Sequence, residues 1–209
     1  MEQNVKSEAL EMAKNSFRIE ARVLTDTGEN MDWDAFAKAV ELLSGAQRIA
    51  ASGCGHSGIA CRHFAHSMCC IERPARFLSP AEAVHGGTGF LQAGDVLVVA
   101  SRGGKTAELT PVIEIARKKG AFVISVTENT RSPMARLSDV VIPIKVYSET
   151  DRFNTQGTGS FAAVSGVFDA LQVAVMEETG YHVEQFALVH PGGAVGERLN
   201  KRGEVKADG

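Results

Sequence analysis

The chain has 209 residues, 44% of them hydrophobic and 22% charged, with a net charge of −3. That length suits one domain with an ample core. The mild acidity and the lack of a long basic stretch exclude nucleic acid and anionic membrane as main partners, and no apolar run reads as approaching membrane-spanning length.

The polar N-terminus (MEQNVKSEALEMAK) does not read as a signal peptide, so a soluble, cytoplasmic protein is expected. Residues 7–22 show helical spacing, and 25–30 are expected to break it. Asp32 is a plausible N-cap for a second helix over 33–43. A short strand over 47–52 then runs into the glycine-rich turn Gly53-Cys54-Gly55-His56-Ser57-Gly58, and a helix is expected from Ile59 to Cys70. Residues 75–78 read as a strand, and Ser79-Pro80 as a helix start with proline in the first turn.

The segment 95–109 (DVLVVASRGGKTAEL) is the most informative part of the chain. Five apolar residues, a loop of small residues and an amphipathic run predict a buried parallel strand, a tight loop and a helix. Pro111 lies early in that helix, where a missing N–H costs little. Strands follow over 121–126 and 139–146, with at most two helical turns between them at 132–137. A loop over 147–157 leads to a long apolar helix, Ser160 to Thr179. The end (FALVHPGGAVGERL) reads as a short helix, a His-Pro-Gly-Gly turn and a last helical turn, with a frayed tail after Lys201. Alternating strands and helices imply α/β class: a three-layer αβα sandwich around a five-stranded parallel sheet. Ligands of such sheets bind at the carboxyl ends of the strands.

Two strand-to-helix turns opening at one sheet edge suggest a divided site. Ser101, Gly103, Gly104 and Thr106 suit a phosphate, with small residues that admit the backbone and hydroxyls that complete a cradle. Arg102 or Lys105 adds charge. The turn at Gly55, His56 and Ser57 would line the rest of the ligand. It fits a dinucleotide fingerprint poorly, because Arg76-Phe77-Leu78 stands where an acidic strand end is needed. Glu108, at its helix start, is favourable with the helix dipole whether or not it acts on a ligand. Glu149 follows a strand in a polar loop, as catalytic bases often do, although a solvated loop acid fits equally. His85 and His190 each sit in a glycine-bearing turn, where a histidine serves as acid–base group or simply bonds a carbonyl.

Cys54, Cys61, Cys69 and Cys70 form no CxxC and read as free thiols. His63, His66 and Cys70 share a helical face, but three ligands on one short helix make poor tetrahedral geometry. No metal is expected there, and Cys54, between glycines, is a candidate reactive thiol.

From about Gln47 to Leu199 the chain resembles sugar isomerase (SIS) domains, and in particular the arabinose-5-phosphate isomerase family. The SGCGHSG turn, SPAEAVHGG, SRGGKTAEL and above all EQFALVHPGGAVGERL carry the resemblance. It implies one SIS domain over 1–209, with N-terminal helices over 1–45, an α/β core over 46–200 and a flexible tail over 201–209. It implies interconversion of D-arabinose 5-phosphate and D-ribulose 5-phosphate through an enediol, without a cofactor. The family's acid–base residues match Glu108, Glu149, His85 and His190, and its phosphate loop matches 101–106. It also implies a homotetramer, with the N-terminal helices and the helix 160–179 as candidate interfaces, and a chain without the CBS pair many relatives carry. Three departures bear on the sugar. His56 replaces a lysine, Ser-Arg-Gly-Gly-Lys replaces Ser-Asn-Ser-Gly-Glu, and the loop after Glu149 lacks Cys-Pro and Thr-Ser-Ser-Thr.

Overall fold

A computed structural model describes residues 5–193 and 196–199. Its sheet has five parallel strands in the order β2-β1-β3-β4-β5: β1 Ile49–Gly53, β2 Ala75–Phe77, β3 Val96–Ala100, β4 Phe122–Thr127 and β5 Val140–Pro143. The apolar run of β3 is buried on both faces. Val96, Val98 and Ala100 feed one hydrophobic cluster, and Leu97 and Val99 the other, as the two-residue period of a strand requires. Helices α1 Ser7–Glu29, α2 Trp33–Gly45, α3 Gly55–Cys70 and α7 Thr158–Thr179 cover the first face. The short helices α4 Pro80–Ala83 and α6 Pro133–Arg136, the 3-10 turn Gly87–Phe90 and α5 Leu109–Lys118 cover the second. Helix α8, Val183–Val189, follows α7. The expected three-layer α/β sandwich is therefore present.

Local chemistry accounts for several boundaries. The Asp32 side chain accepts the Ala35 N–H at 3.0 Å and caps α2. Ser132 does the same for Ala135 at α6, at 3.1 Å. Pro111 is the third residue of α5, where the chain requires no helical donor.

Other boundaries depart from expectation. Helix α1 does not break at Thr25 but continues to Glu29. Its last turns dock on the sheet: the buried Thr27 hydroxyl donates to Lys145 O at 3.2 Å and accepts the Lys145 N–H at 3.1 Å. Tertiary bonding there outweighs the weak helix preference of threonine and glycine. Helix α3 starts at Gly55 rather than Ile59, so Gly55, His56 and Ser57 form its first turn. Glu108 stands at the N-cap of α5, one position before its first turn. The last strand ends at Pro143 instead of 146.

Helix α7 needs a further correction. Its length and composition would suffice to cross a membrane, contrary to the reading of its sequence. Here Val164, Val167, Phe168, Leu171 and Val175 pack inside the protein, and α1, α2 and α3 lie against it. Phe168 stacks on Phe64 with ring centres 4.5 Å apart. Burying two such rings contributes roughly 2–3 kcal/mol each. Part of its apolar surface is thus met within the chain, while other positions such as Val173 stay exposed. The exposed apolar residues of α1 include Leu10 and Phe17, seven residues apart, while the half-exposed Leu24 reaches Gly166 of α7. The tail expected after Lys201 lies outside the described residues.

Candidate active site

The strand order reverses between β1 and β3, the switch point where ligands of open parallel sheets bind. Gly53 and Ala100, the last residues of these strands, are register partners. The two turns foreseen as halves of one site therefore leave the sheet side by side.

In the first turn, α3 begins at once behind Cys54. Gly58 N–H donates to Cys54 O at 3.1 Å and closes the helix, while the N–H groups of Gly55, His56 and Ser57 have no acceptor among the described residues. These donors and the positive end of the helix dipole face the mouth of the switch point. The His56 ring lies edge-on to Phe161 of α7, with centroids 6.2 Å apart.

The second turn is a braced loop. Buried Ser101 donates its N–H to Val126 O at 3.2 Å, and its hydroxyl lies 2.8 Å from that of Thr106. Ser101 Oγ also accepts the Gly104 N–H at 3.1 Å. Gly104 has φ +62°, and a Cβ there would overlap the Ser132 side chain, so only glycine closes the turn. The N–H groups of Lys105, Thr106, Ala107 and Glu108 have no acceptor among the described residues. Four consecutive donors without acceptors, beside two hydroxyls, are groups of the kind an oxyanion needs. Gly103 is exposed beside them, whereas the Gly104 N–H is already committed.

The third part comes from the loop after β5. Glu149 is 2% exposed, not a solvated loop acid. Arg102 Nη1 donates to its Oε1 at 2.6 Å, and Ser160 N–H, in the first turn of α7, donates to Oε2 at 3.1 Å. The Glu149 N–H donates to Asn154 Oδ1 at 2.6 Å. Between them, Asp151 accepts the N–H groups of Phe153, Thr155 and Gln156 at 2.8–2.9 Å, and these donors, the Gln156 N–H first, hold its carboxyl below the usual carboxylate range. The Thr150 and Thr158 hydroxyls meet at 2.6 Å and close the loop.

Glu108 is exposed beside the 101–106 loop and lies near enough to Cys54 to act on its thiol. Burial, and then this carboxylate, push the Cys54 thiol up from its ordinary value. That corrects the expectation of a reactive thiol, since fewer thiolates are present at neutral pH. His190 follows α8, with its ring stacked on Phe186 at 3.8 Å and its Nδ1 3.1 Å from Phe186 O. An Nδ1–H donated to that carbonyl leaves Nε2 with its lone pair. His85 is exposed after α4. No hydrogen bond or ion pair joins His85 or His190 to Glu108 or Glu149 among the described residues. On α3, His66 lies 3.5 Å from Cys70, while His63 turns to Asp169 at 2.9 Å, so the three do not converge. Glu128, Asn154 and Ser160, which hold the site together, escaped sequence reasoning. Of these only Glu128 had a signal, as an acid directly after a strand.

Known proteins resemble the chain as a whole. Residues 42–174 match the family model described as SIS domain. The chain is 36% identical to arabinose 5-phosphate isomerase KdsD of Pseudomonas aeruginosa over 167 residues, which is 79% of this chain and 51% of that protein. Against KdsD of Escherichia coli K12 it is 34% identical over 152 residues, 73% of this chain and 46% of that one. The chain thus spans about half the length of the curated relatives it matches. Among solved structures, a Listeria monocytogenes protein with a provisional sugar-phosphate isomerase assignment superposes with TM-score 0.86 at 39% identity, covering 90% of this chain and all of that one. The Escherichia coli CFT073 protein c3406, in complex with arabinose 5-phosphate, gives TM-score 0.84 at 28% identity, again over 90% of this chain and all of that one.

Proposed function

The chain belongs to the SIS domain family, and on that footing we propose that its site isomerises a sugar phosphate between aldose and ketose forms. The observation that carries this reading is the pairing of Gly53 with Ala100, which sets the N–H donors of 105–108 beside a second free helix start at one switch point. The sugar pair favoured is D-arabinose 5-phosphate and D-ribulose 5-phosphate, in line with the KdsD relatives.

The phosphate would rest on the N–H groups of 105–108 and on the Ser101 and Thr106 hydroxyls. With the sugar open, a base removes the C2 proton while an acid protonates O1, giving a cis-enediol. Loss of the O2 proton and protonation at C1 then complete the ketose. No electrons leave the substrate, so the chemistry needs acid–base groups and no redox partner. We assign Glu149 and His190 to the enediol step. A carboxylate offers about four lone-pair positions and Glu149 uses two, so two remain for a proton. His190 would act through Nε2. His85 would assist ring opening, and Glu108 would hold the sugar. Self-association as a homotetramer belongs to the same proposal, with exposed apolar positions of α1 such as Leu10 and Phe17 as contacts. Turnover of D-arabinose 5-phosphate is expected to fall by about 100-fold or more in Glu149→Gln and in His190→Ala. Near-wild-type rates in both folded variants would refute the assignment.

A second reading keeps the ligand and drops the reaction. Glu149 is buried and held at both oxygens, as suits a site that binds a sugar phosphate without turning it over.

A further inference from the structure

Arg102, the second residue of the 101–106 loop, is expected from the sequence to add charge for the phosphate, but its guanidinium is bonded to other partners. Nε donates to Glu128 Oε2 at 2.9 Å, Nη1 to Glu149 Oε1 at 2.6 Å and Nη2 to Val146 O at 3.3 Å. Its own carbonyl accepts the Glu128 N–H at 3.0 Å and the Thr127 hydroxyl at 2.9 Å. Glu128 Oε1 in turn accepts the Val146 N–H at 3.1 Å. Arg102 follows β3, Glu128 follows β4, and Val146 and Glu149 follow β5. One guanidinium therefore fastens the loops after three adjacent strands.

A phosphate ligand needs its charge free for the dianion. Arg102 commits its charge to two carboxylates, one of them buried, through a planar fork that holds direction as well as distance. Lysine at this position would supply the charge but not the three-way geometry.

We propose that Arg102 is a positioning residue, which fixes the Glu149 carboxylate relative to the phosphate loop so that a sugar anchored by its phosphate meets that carboxylate at a set distance. The proposal rests on the isomerase reading above, with Glu149 taking part in proton transfer. It predicts that Arg102 acts on the chemical step and not on phosphate affinity, because misplacing a reacting group by about 1 Å costs roughly 100-fold in rate.

The test compares wild type with Arg102→Ala, Arg102→Lys and Arg102→Gln, the last keeping volume and a donor should the alanine variant fail to fold. Expected for Arg102→Ala and Arg102→Gln is a kcat about 100-fold lower, with KM for D-arabinose 5-phosphate and the affinity for inorganic phosphate within about threefold of wild type. Arg102→Lys should recover only part of the loss. Guanidinium chloride at sub-denaturing concentration should restore part of the Arg102→Ala rate and leave wild type unchanged. Raised KM with kcat intact would make Arg102 a phosphate ligand and overturn the proposal, as would unchanged kcat in folded variants. If wild type itself turns over no sugar phosphate, the isomerase reading falls and takes this inference with it. A turning-over wild type with indifferent Arg102 variants defeats the inference alone.

Discussion

Gly159 presses the first turn of α7 against Glu149: a Cβ on this glycine would lie 3.2 Å from Glu149 Oε2 and 2.6 Å from Ser148 O. Only this approach lets the next residue, Ser160, donate its N–H to the carboxylate. The helix start then helps to hold a buried anion. Gly159→Ala is therefore expected to push the helix off the loop, costing about 1–3 kcal/mol of stability and at least tenfold in kcat. Thermal denaturation and steady-state kinetics check both figures. An unchanged kcat would mean that Glu149 does not depend on α7.

The N–H donors of 105–108 should bind inorganic phosphate on their own. Phosphate is expected to raise the melting temperature of wild type in a concentration-dependent way. Ser101→Ala removes one hydroxyl and one of the two bonds of the Gly104 N–H, leaving the one to Ser101 O. A hydrogen bond to a charged group contributes about 1.5–3 kcal/mol, so affinity should drop by roughly ten- to a hundredfold. Calorimetry would show this directly, and equal affinity in the two proteins would place the anion elsewhere.

Cys54 gives an independent probe of Glu108. Burial first, and the carboxylate second, hold its thiol above the ordinary value. Alkylation at neutral pH should accordingly be slower than for an unperturbed thiol and faster in Glu108→Gln than in wild type. Mass spectrometry after timed iodoacetamide treatment reads the rates at Cys54. Cys61, buried and donating to Ser52 O, should stay unmodified in both.

How much of this is legible in the sequence varies with distance along the chain. The strand and loop of 95–109 are legible because five apolar residues run straight into small ones, and the two-residue alternation of a fully buried strand needs no polar marks. The side-by-side exit of the turns at Gly53 and Ala100 follows from strand alternation and the handedness of the crossover. The Arg102 clamp is not legible, since its carboxylate partners lie 26 and 47 positions away and no periodicity marks contacts among three loops. The run of α1 past Thr25 is hidden for a similar reason, because Thr27 bonds Lys145, 118 positions on. The fold is written in local patterns, whereas the site is made by contacts between loops that such patterns do not encode.

The Asp151 turn predicts a pH effect of definite sign. The N–H groups of Gln156, Thr155 and Phe153 lower its folded value below the roughly 3.9 of an unfolded aspartate. A depressed value adds stability above the unfolded pKa, and that stability is lost as pH falls through the folded one. Hydrogen exchange in 150–157 should thus be insensitive to Asp151 protonation near neutrality and lose protection on acidification below about pH 4. Asp151→Asn should lack this acid step. An acid step of equal size in the variant would assign it to another group.

As an isomerase, this chain would move a proton on a bound sugar phosphate. Proton NMR of D-arabinose 5-phosphate in deuterium oxide, with catalytic amounts of the protein, tests it most directly. Enediol chemistry predicts that the C2 proton signal decays as ketose appears, with both rates strongly reduced in Glu149→Gln. A ligand that raises the melting temperature of wild type while its C2 proton persists would contradict the claim and leave a sugar-phosphate-binding protein without catalysis.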